Sequence, residues 1–181
     1  MNRIKAFLDS RLDDKASMLV WYLLMMPVFI SAVGLAIDGS IMASTKSGLQ
    51  TSLDAATQGT VALYKNQQDG GQPTLSQGEA RSSIISLYDA NRRGTYAGAK
   101  ATDGVPFIKC QGGGSSAVSA PSGCGFVLKD VKYSREGNLT NNGYLSATVE
   151  EKADTIFLRF LGVDEITYTV TSTARLTNTY N

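Results

Sequence analysis

The chain contains no histidine. That absence removes Ser-His-Asp and Cys-His nucleophilic catalysis and every histidine-containing metal site in one step. Cysteine is nearly as scarce, with 2 in 181 residues, and the spacing of Cys110 and Cys124 does not resemble a zinc pair. Neither sign of charge dominates, because 17 Lys and Arg stand against 16 Asp and Glu for a net charge of +1. A basic face for nucleic acid is therefore not implied. No cofactor, no metal and no nucleic-acid partner are expected. An anchored hydrolase would have to draw on carboxylates such as Glu150 and Glu151, which lie in a strand pattern without a Gly-rich catalytic frame. They read as strand-end surface charge, and an enzyme is not expected.

What the sequence does have is one long apolar run. SMLVWYLLMMPVFISAVGLAI, Ser17 to Ile37, carries no charge. At 1.5 Å per residue it spans about 30 Å, the thickness of a hydrocarbon core. Arg3, Lys5, Arg11 and Lys15 precede it, while Lys46 is the sole cation between Asp38 and Tyr64. This bias places residues 1–16 as a cytoplasmic leader, 17–37 as a transmembrane segment and 38–181 as an extracytoplasmic domain. A cleaved secretory signal is the competing reading, since SAVGLA and IMAS supply small residues near the end of the run. The run is longer than the usual 7 to 15 apolar residues of such signals, which favours an uncleaved anchor.

Beyond Asp38 the pattern becomes amphipathic without a turn signal. Ile41, Met42, Leu49, Leu53, Ala56, Thr60, Leu63 and Tyr64 mark one stripe, and Lys46, Gln50, Asp54 and Gln58 take other faces. One helix is expected to run from the membrane to about Tyr64, roughly 70 Å in all. Gly48 and Gly59 each oppose it by about 1 kcal/mol, so its outer half needs packing support. Pro27 removes the helix hydrogen bond to the Leu23 carbonyl and is a candidate kink. Small residues such as Ser40, Ala43, Ser44, Ser47, Ser52 and Ala55 permit close approach of other helices, or form a plain solvated face.

The remainder reads as a small α+β domain. Ser76 and Glu79 form a capping box that starts a second helix, with Ala80, Ile84, Leu87, Tyr88 and Asn91 inward and Gly94 as its stop. The region Thr95 to Gly125 is Gly-rich and irregular. Within it Cys110 and Cys124 enclose QGGGSSAVSAPSG, and closing such a loop of roughly 15 residues covalently contributes about 3 kcal/mol. A disulfide in an oxidising compartment is expected, with two free thiols as the alternative. From Phe126 the period changes to two, in FVLKDVKY, YLSATVEE and ITYTVTSTARL, which predicts antiparallel strands. Ile166, Tyr168, Val170, Ser172, Ala174 and Leu176 share one face of the last, and Thr167, Thr169, Thr171, Thr173 and Arg175 the other. Asp154 is placed to cap a short helix TIFLRFLG, whose Ile156, Phe157, Phe160 and Leu161 are expected to pack on the sheet.

These residues carry a resemblance. The stretch Gly34, Leu35, Ala36, Ile37 and Asp38, then Leu49 and Gln50, then Asp54, Ala55 and Ala56, all following the apolar run, resembles the N-terminal helix of the tight-adherence (Tad/Flp) pilus assembly proteins of the TadE/TadG type. LSATVEEKADTIFLRFLGVDEITYTVTSTARL is similar to that family's closing pattern of strand, short Phe-rich helix and strand. The resemblance covers about half the chain. It implies a pilin-like fold, a long N-terminal helix packed on a small antiparallel sheet. It also implies a single-pass protein of the bacterial inner membrane, with the N-terminus in the cytoplasm and the domain in the periplasm or carried into the extracellular pilus. Family members cut like prepilins resemble G-x-x-x-x-E-Y. Here Ala16 replaces the Gly, Trp21 the Glu, and Tyr22 matches, so Ala16 and Ser17 mark the processing position. Left uncut, Met1 to Lys15 becomes a permanent cytoplasmic leader able to touch the inner-membrane assembly platform.

The function implied is structural: a minor pseudopilin or assembly component of a Tad-type type IV pilus, supporting adhesion and biofilm formation. Its partners are other Tad pilins and pseudopilins, the assembly platform and membrane lipid. Asp38, Lys46 and Asp54 are candidates for subunit registry, with Asp38 or Asp54 pairing Lys46 of a neighbouring copy, although Asp38 also suits the plain water interface. The alternative function is an anchored extracytoplasmic adhesin that binds through the loop closed by Cys110 and Cys124.

Overall fold

The computed structural model describes residues 2–66, 76–92, 105, 108–109, 117–121, 125–134 and 143–176, with side chains from Met18 onward in the first segment. Its elements in chain order are α1 (Asn2–Asn66), α2 (Gln77–Arg92), β1 (Ile108–Lys109), β2 (Val127–Ser134), β3 (Gly143–Asp154), a 3-10 turn (Leu158–Leu161) and β4 (Glu165–Leu176). The fold is α+β, as expected. Helix α1 is longer than its apolar pattern implied: its 65 residues span about 100 Å and include the leader. It continues without interruption through Pro27, where Ser31 Oγ donates to the Pro27 carbonyl at 2.7 Å.

Among the described residues, the apolar half of α1 is exposed along nearly all its length and meets the rest of the chain only at its outer end, where Gly34 is buried. Met18, Trp21, Tyr22, Phe29 and Val33 are all more than half exposed. This helix is long and apolar enough to cross a membrane. The outer half is different. Thr45, Leu49, Ser52, Leu53, Ala56, Thr57, Thr60 and Val61 are buried in one stripe at helical spacing, whereas Leu63 is exposed and leaves the expected stripe. Three of these threonines and serines return their hydroxyls to their own helix: Ser52 to Gly48 O, Thr57 to Leu53 O, and Thr60 to Ala56 O, at 2.8, 3.1 and 2.8 Å. The stripe is therefore satisfied in its polar groups while it stays slim enough for close packing. At Gly48 the approach is close, since an added Cβ would lie 2.8 Å from Val105 Cγ2.

Helix α2 starts with the expected reciprocal box. Ser76 N donates to Glu79 Oε2 at 3.1 Å, and Glu79 N to Ser76 Oγ at 3.2 Å. Its buried side is Ala80, Ile84, Tyr88, Asp89 and Arg92, and Leu87 is partly buried beside Gly59 of α1.

All four strands join one antiparallel sheet in which β3 is central. The long pairing is β3 with β4, from Gly143↔Leu176 to Asp154↔Glu165. Strand β2 takes the other edge of β3, and β1 continues that edge through Ile108↔Ala153 and Lys109↔Lys152. Strand alternation sets the faces: Leu145, Ala147, Val149, Glu151 and Ala153 of β3 point inward with Tyr168, Val170, Ser172 and Ala174 of β4. The outward threonines of β4 are exposed, as the pattern required. In β2 both Leu128 and Val131 reach the core although they are three apart, because a register shift between Leu128 and Asp130 resets the alternation. Across the helix–sheet layer Thr57 Oγ1 and Ser172 Oγ share a buried hydrogen bond at 2.8 Å, and Gln50 Nε2 donates to the Thr171 carbonyl at 2.9 Å.

The β3–β4 connection departs from expectation. Its regular part is a single 3-10 turn, its N-cap position is Phe157 without side-chain capping, and Asp154 is an exposed strand end. Ile156, Phe160 and Leu161 do not pack on the sheet but stand exposed. A turn this short, closed by Gly162 at φ +85°, cannot lay both of its apolar sides on one surface.

Candidate functional site

The most organised polar arrangement outside the core lies where α1 leaves its apolar run. Gly34 and Asp38 are one helical turn apart on the same face as the core stripe, and both are buried. Gly34 lets the ring of Phe157 lie directly on the helix, for an added Cβ would be 2.7 Å from Phe157 Cγ and Cδ1. One turn further out, the Asp38 carboxylate accepts the backbone N–H groups of Ile156, Phe157 and Leu158 at 3.1, 3.0 and 2.6 Å. These are the donors that the start of the 3-10 turn cannot satisfy internally. The cap that Asp154 was expected to provide is thus supplied from 120 residues away in sequence.

The electrostatics follow from that geometry. Asp38 is 2% exposed. Withdrawal from water works to raise its pKa, but the hydrogen bonds from Leu158, Phe157 and Ile156 together outweigh it, and the carboxyl is held below the ordinary aspartate value. Burial, and then the Asp38 charge, push the Tyr168 phenol up. The turn itself is closed by Gly162 N to Arg159 O and Val163 N to Leu158 O, both at 3.1 Å, and by Thr155 N to Asp164 O at 3.1 Å.

A second polar cluster is enclosed between α2 and β3. Arg92 Nη1 donates to Glu151 Oε1 at 2.5 Å, while its Nε and Nη2 reach Asp89 Oδ1 at 3.2 and 3.0 Å. Arg92 is 1% exposed and Glu151 0%. Reading Glu151 as strand-end surface charge is therefore corrected: alternation along β3 turns it into the core, where the Arg92 guanidinium meets it. Glu150, its neighbour, faces outward and pairs with Lys129 at 3.0 Å. The guanidinium lies 4.8 Å from the Phe126 ring centroid, and Phe126 meets Tyr88 edge-on at 4.8 Å. Burial, followed by the Glu151 charge, pushes the Tyr88 phenol well above its ordinary value against the opposing effect of Arg92. The phenol keeps its proton. The cluster ties the end of α2 to the middle of the sheet, and the Arg92 carbonyl further accepts the Val105 N–H at 2.9 Å.

The other residues singled out in the sequence fall as follows. Lys46 is exposed, and Asp54 is half-buried and accepts Gln50 Nε2 at 3.0 Å. Asp38 is engaged by three backbone N–H groups of its own chain. Side chains of Ala16 and Ser17, and both Cys110 and Cys124, lie outside the described residues, as does most of the loop between Thr95 and Gly125. Among the described residues no group of three or more His, Cys, Asp or Glu could hold a metal ion. A shallow open depression of about 380 Å³, lined by Gln77, Asp130, Val131, Lys132 and Tyr144, has its two charges paired with each other at 3.2 Å. Sequence reasoning missed the buried Arg92. Its signal was present, as an arginine at the i+4 position from inward Tyr88 on α2.

No family model, curated protein or solved structure matches this chain.

Proposed function

We propose that this protein is a membrane-anchored minor pseudopilin or assembly component of a tight-adherence pilus, held in the bacterial inner membrane by residues 17–37. In this reading its N-terminus is cytoplasmic and its domain periplasmic, and it supports pilus biogenesis, surface adhesion and biofilm formation. Its role is structural rather than catalytic.

The observation that carries the reading is the division of α1. Among the described residues, one unbroken helix has an apolar half left exposed along nearly all its length, up to the Phe157 contact at Gly34, and an outer half docked along an antiparallel sheet. A protein needed only as an anchored periplasmic domain could connect membrane and domain by a linker. Rigid continuity is what a subunit requires when its membrane helix must leave lipid and bundle with other helices without losing its grip on the domain. The exposed small residues Ala43, Ser44, Ser47 and Ala55 support such bundling, because they allow neighbouring helices to approach closely.

The test is an intact mass under non-reducing conditions, taken from sheared pili and inner membranes of the same cells. A species beginning at Ser17 in sheared pili is the outcome for a processed filament subunit. A species beginning at Met1 and confined to membranes is the outcome for an assembly factor. Absence of the protein from pili, together with normal piliation in its deletion strain, would remove both.

A further inference from the structure

Among the described residues beyond α1, the turn after β3 carries the most exposed large apolar side chains. Phe160 is 87% exposed and Leu161 70%, flanked by exposed Ile156 and Val163. Water is a poor solvent for such a patch, and side chains of this size on a rigid turn point to a partner surface.

Its place on α1 says which surface. Along the helix, Ser172 of β4 lies at Thr57, and Thr171 at Gln50. The backbone of 156–158 lies at Asp38, and Phe157 at Gly34. The sheet therefore descends α1 toward the apolar run, and the β3–β4 turn is its lowest point. Gly34 is itself inside the uncharged run that ends at Ile37, about 6 Å below Asp38. The turn is also held at that height firmly, by three hydrogen bonds to one carboxylate and by a ring laid on a glycine. The turn thus meets α1 at Gly34 and Asp38, where the exposed apolar surface of residues 18–37 ends, and carries exposed apolar side chains of its own. Its charged pair, Arg159 Nε with Asp164 Oδ1 at 3.2 Å, is well exposed and suits a polar margin.

We propose that residues 156–163 form a second membrane contact, in which Phe160 and Leu161 enter the headgroup–acyl boundary of the phospholipid leaflet through which α1 emerges. Aromatic and aliphatic side chains at this depth act as interfacial anchors. With α1 as the first point of attachment, a second one fixes the rotation and tilt of the domain against the membrane. On extraction into a filament the same patch would be released from lipid.

The inference rests on residues 17–37 spanning the bilayer, and the chain's single tryptophan, Trp21, tests that separately. The full chain is reconstituted in phosphatidylcholine vesicles brominated either near the headgroups or near the chain ends. In the unaltered protein, Trp21 fluorescence should be quenched by lipid bromine and protected from aqueous iodide. In a W21F/F160W variant, the only indole reports the turn. It should show blue-shifted emission, stronger quenching by the shallow bromines than by the deep ones, and little quenching by iodide. Quenching of residue 160 by iodide but not bromine, with Trp21 still in lipid, would overturn the contact and leave the span intact. Protection from both quenchers would place another protein copy on the turn and overturn it equally. Failure of Trp21 itself to meet bromine would overturn the span and, with it, the position assigned to the turn. Because Phe160 is exposed and outside the core, the substitution should not disturb folding.

Discussion

The Leu158 N–H lies 2.6 Å from the Asp38 carboxylate, so a residue of the long helix caps a turn that follows the third strand. Two predictions start from this contact. Replacing Asp38 by Asn removes the charge that faces three peptide N–H groups. Hydrogen exchange of the amides at Ile156, Phe157 and Leu158 should accelerate, while exchange in α2 stays unchanged. Equal acceleration throughout the domain would show that Asp38 supports the whole fold rather than the turn.

The same contact sets a pH dependence. Asp38 has a folded pKa below its unfolded value, so its contribution to stability is fully present above the unfolded aspartate value of about 3.9. It is lost as pH falls from there through the lower folded value. Glu79 acts in the same sense, lowered by the Ser76 hydroxyl and then the Ser76 N–H, and burial opposes this only in part. Acid titration in detergent, followed by amide exchange, should release the turn and the first turn of α2 below about pH 4. A turn released while both carboxylates are still ionised would contradict this.

At Gly34 an added methyl meets the Phe157 ring, whereas at Gly39 it meets nothing within 4 Å. Gly34→Ala should therefore displace Phe157 and destabilise the docked domain by about 1–3 kcal/mol, the usual range for overpacking. Gly39→Ala should be neutral or stabilise the helix by up to ~1 kcal/mol. Thermal melts of the two variants in one detergent provide the comparison, and similar melting temperatures would argue against the close approach.

Arg92 lies between two carboxylates, and its removal brings Asp89 and Glu151 together without the guanidinium between them. Arg92→Leu should cost about 3–5 kcal/mol, the range for breaking a buried pair. Glu151→Gln, which leaves Arg92 with Asp89, should cost less. Chemical denaturation of both variants measures the order, and the reverse order would mean that Glu151 is the dominant member.

Leu53 is fully buried on the α1 face that meets the sheet. Leu53→Ala should cost about 2–5 kcal/mol through the transfer term and the cavity it leaves. Leu63→Ala, on an exposed position of the same helix, should fall within about 0.5 kcal/mol of the parent.

Much of this architecture was legible before any coordinates. The alternation from Ile166 to Ala174, the Ser76–Glu79 box and the uncharged run of 17–37 are set by neighbours within a few residues, so local physics decides them. Faces of a strand follow from its pleat. A capping box follows from the four residues that form it. Tertiary structure decided the rest. The extra residue in β2 that puts both Leu128 and Val131 in the core is a property of its pairing with β3, and no alternation in β2 alone reveals it. Glu151 beside Glu150 looks like surface charge until Arg92, 59 residues earlier in the chain, is brought under the sheet. Asp38 looks like a solvated carboxylate until three amides arrive from beyond β3. Phe160 and Leu161, as apolar as any core residue, remain outside because a one-turn connector has a single inward side, and Phe157 takes it against Gly34. Which residues are apolar or charged is written in the chain, but whether such a group ends buried, paired or exposed depends on what the fold sets opposite it.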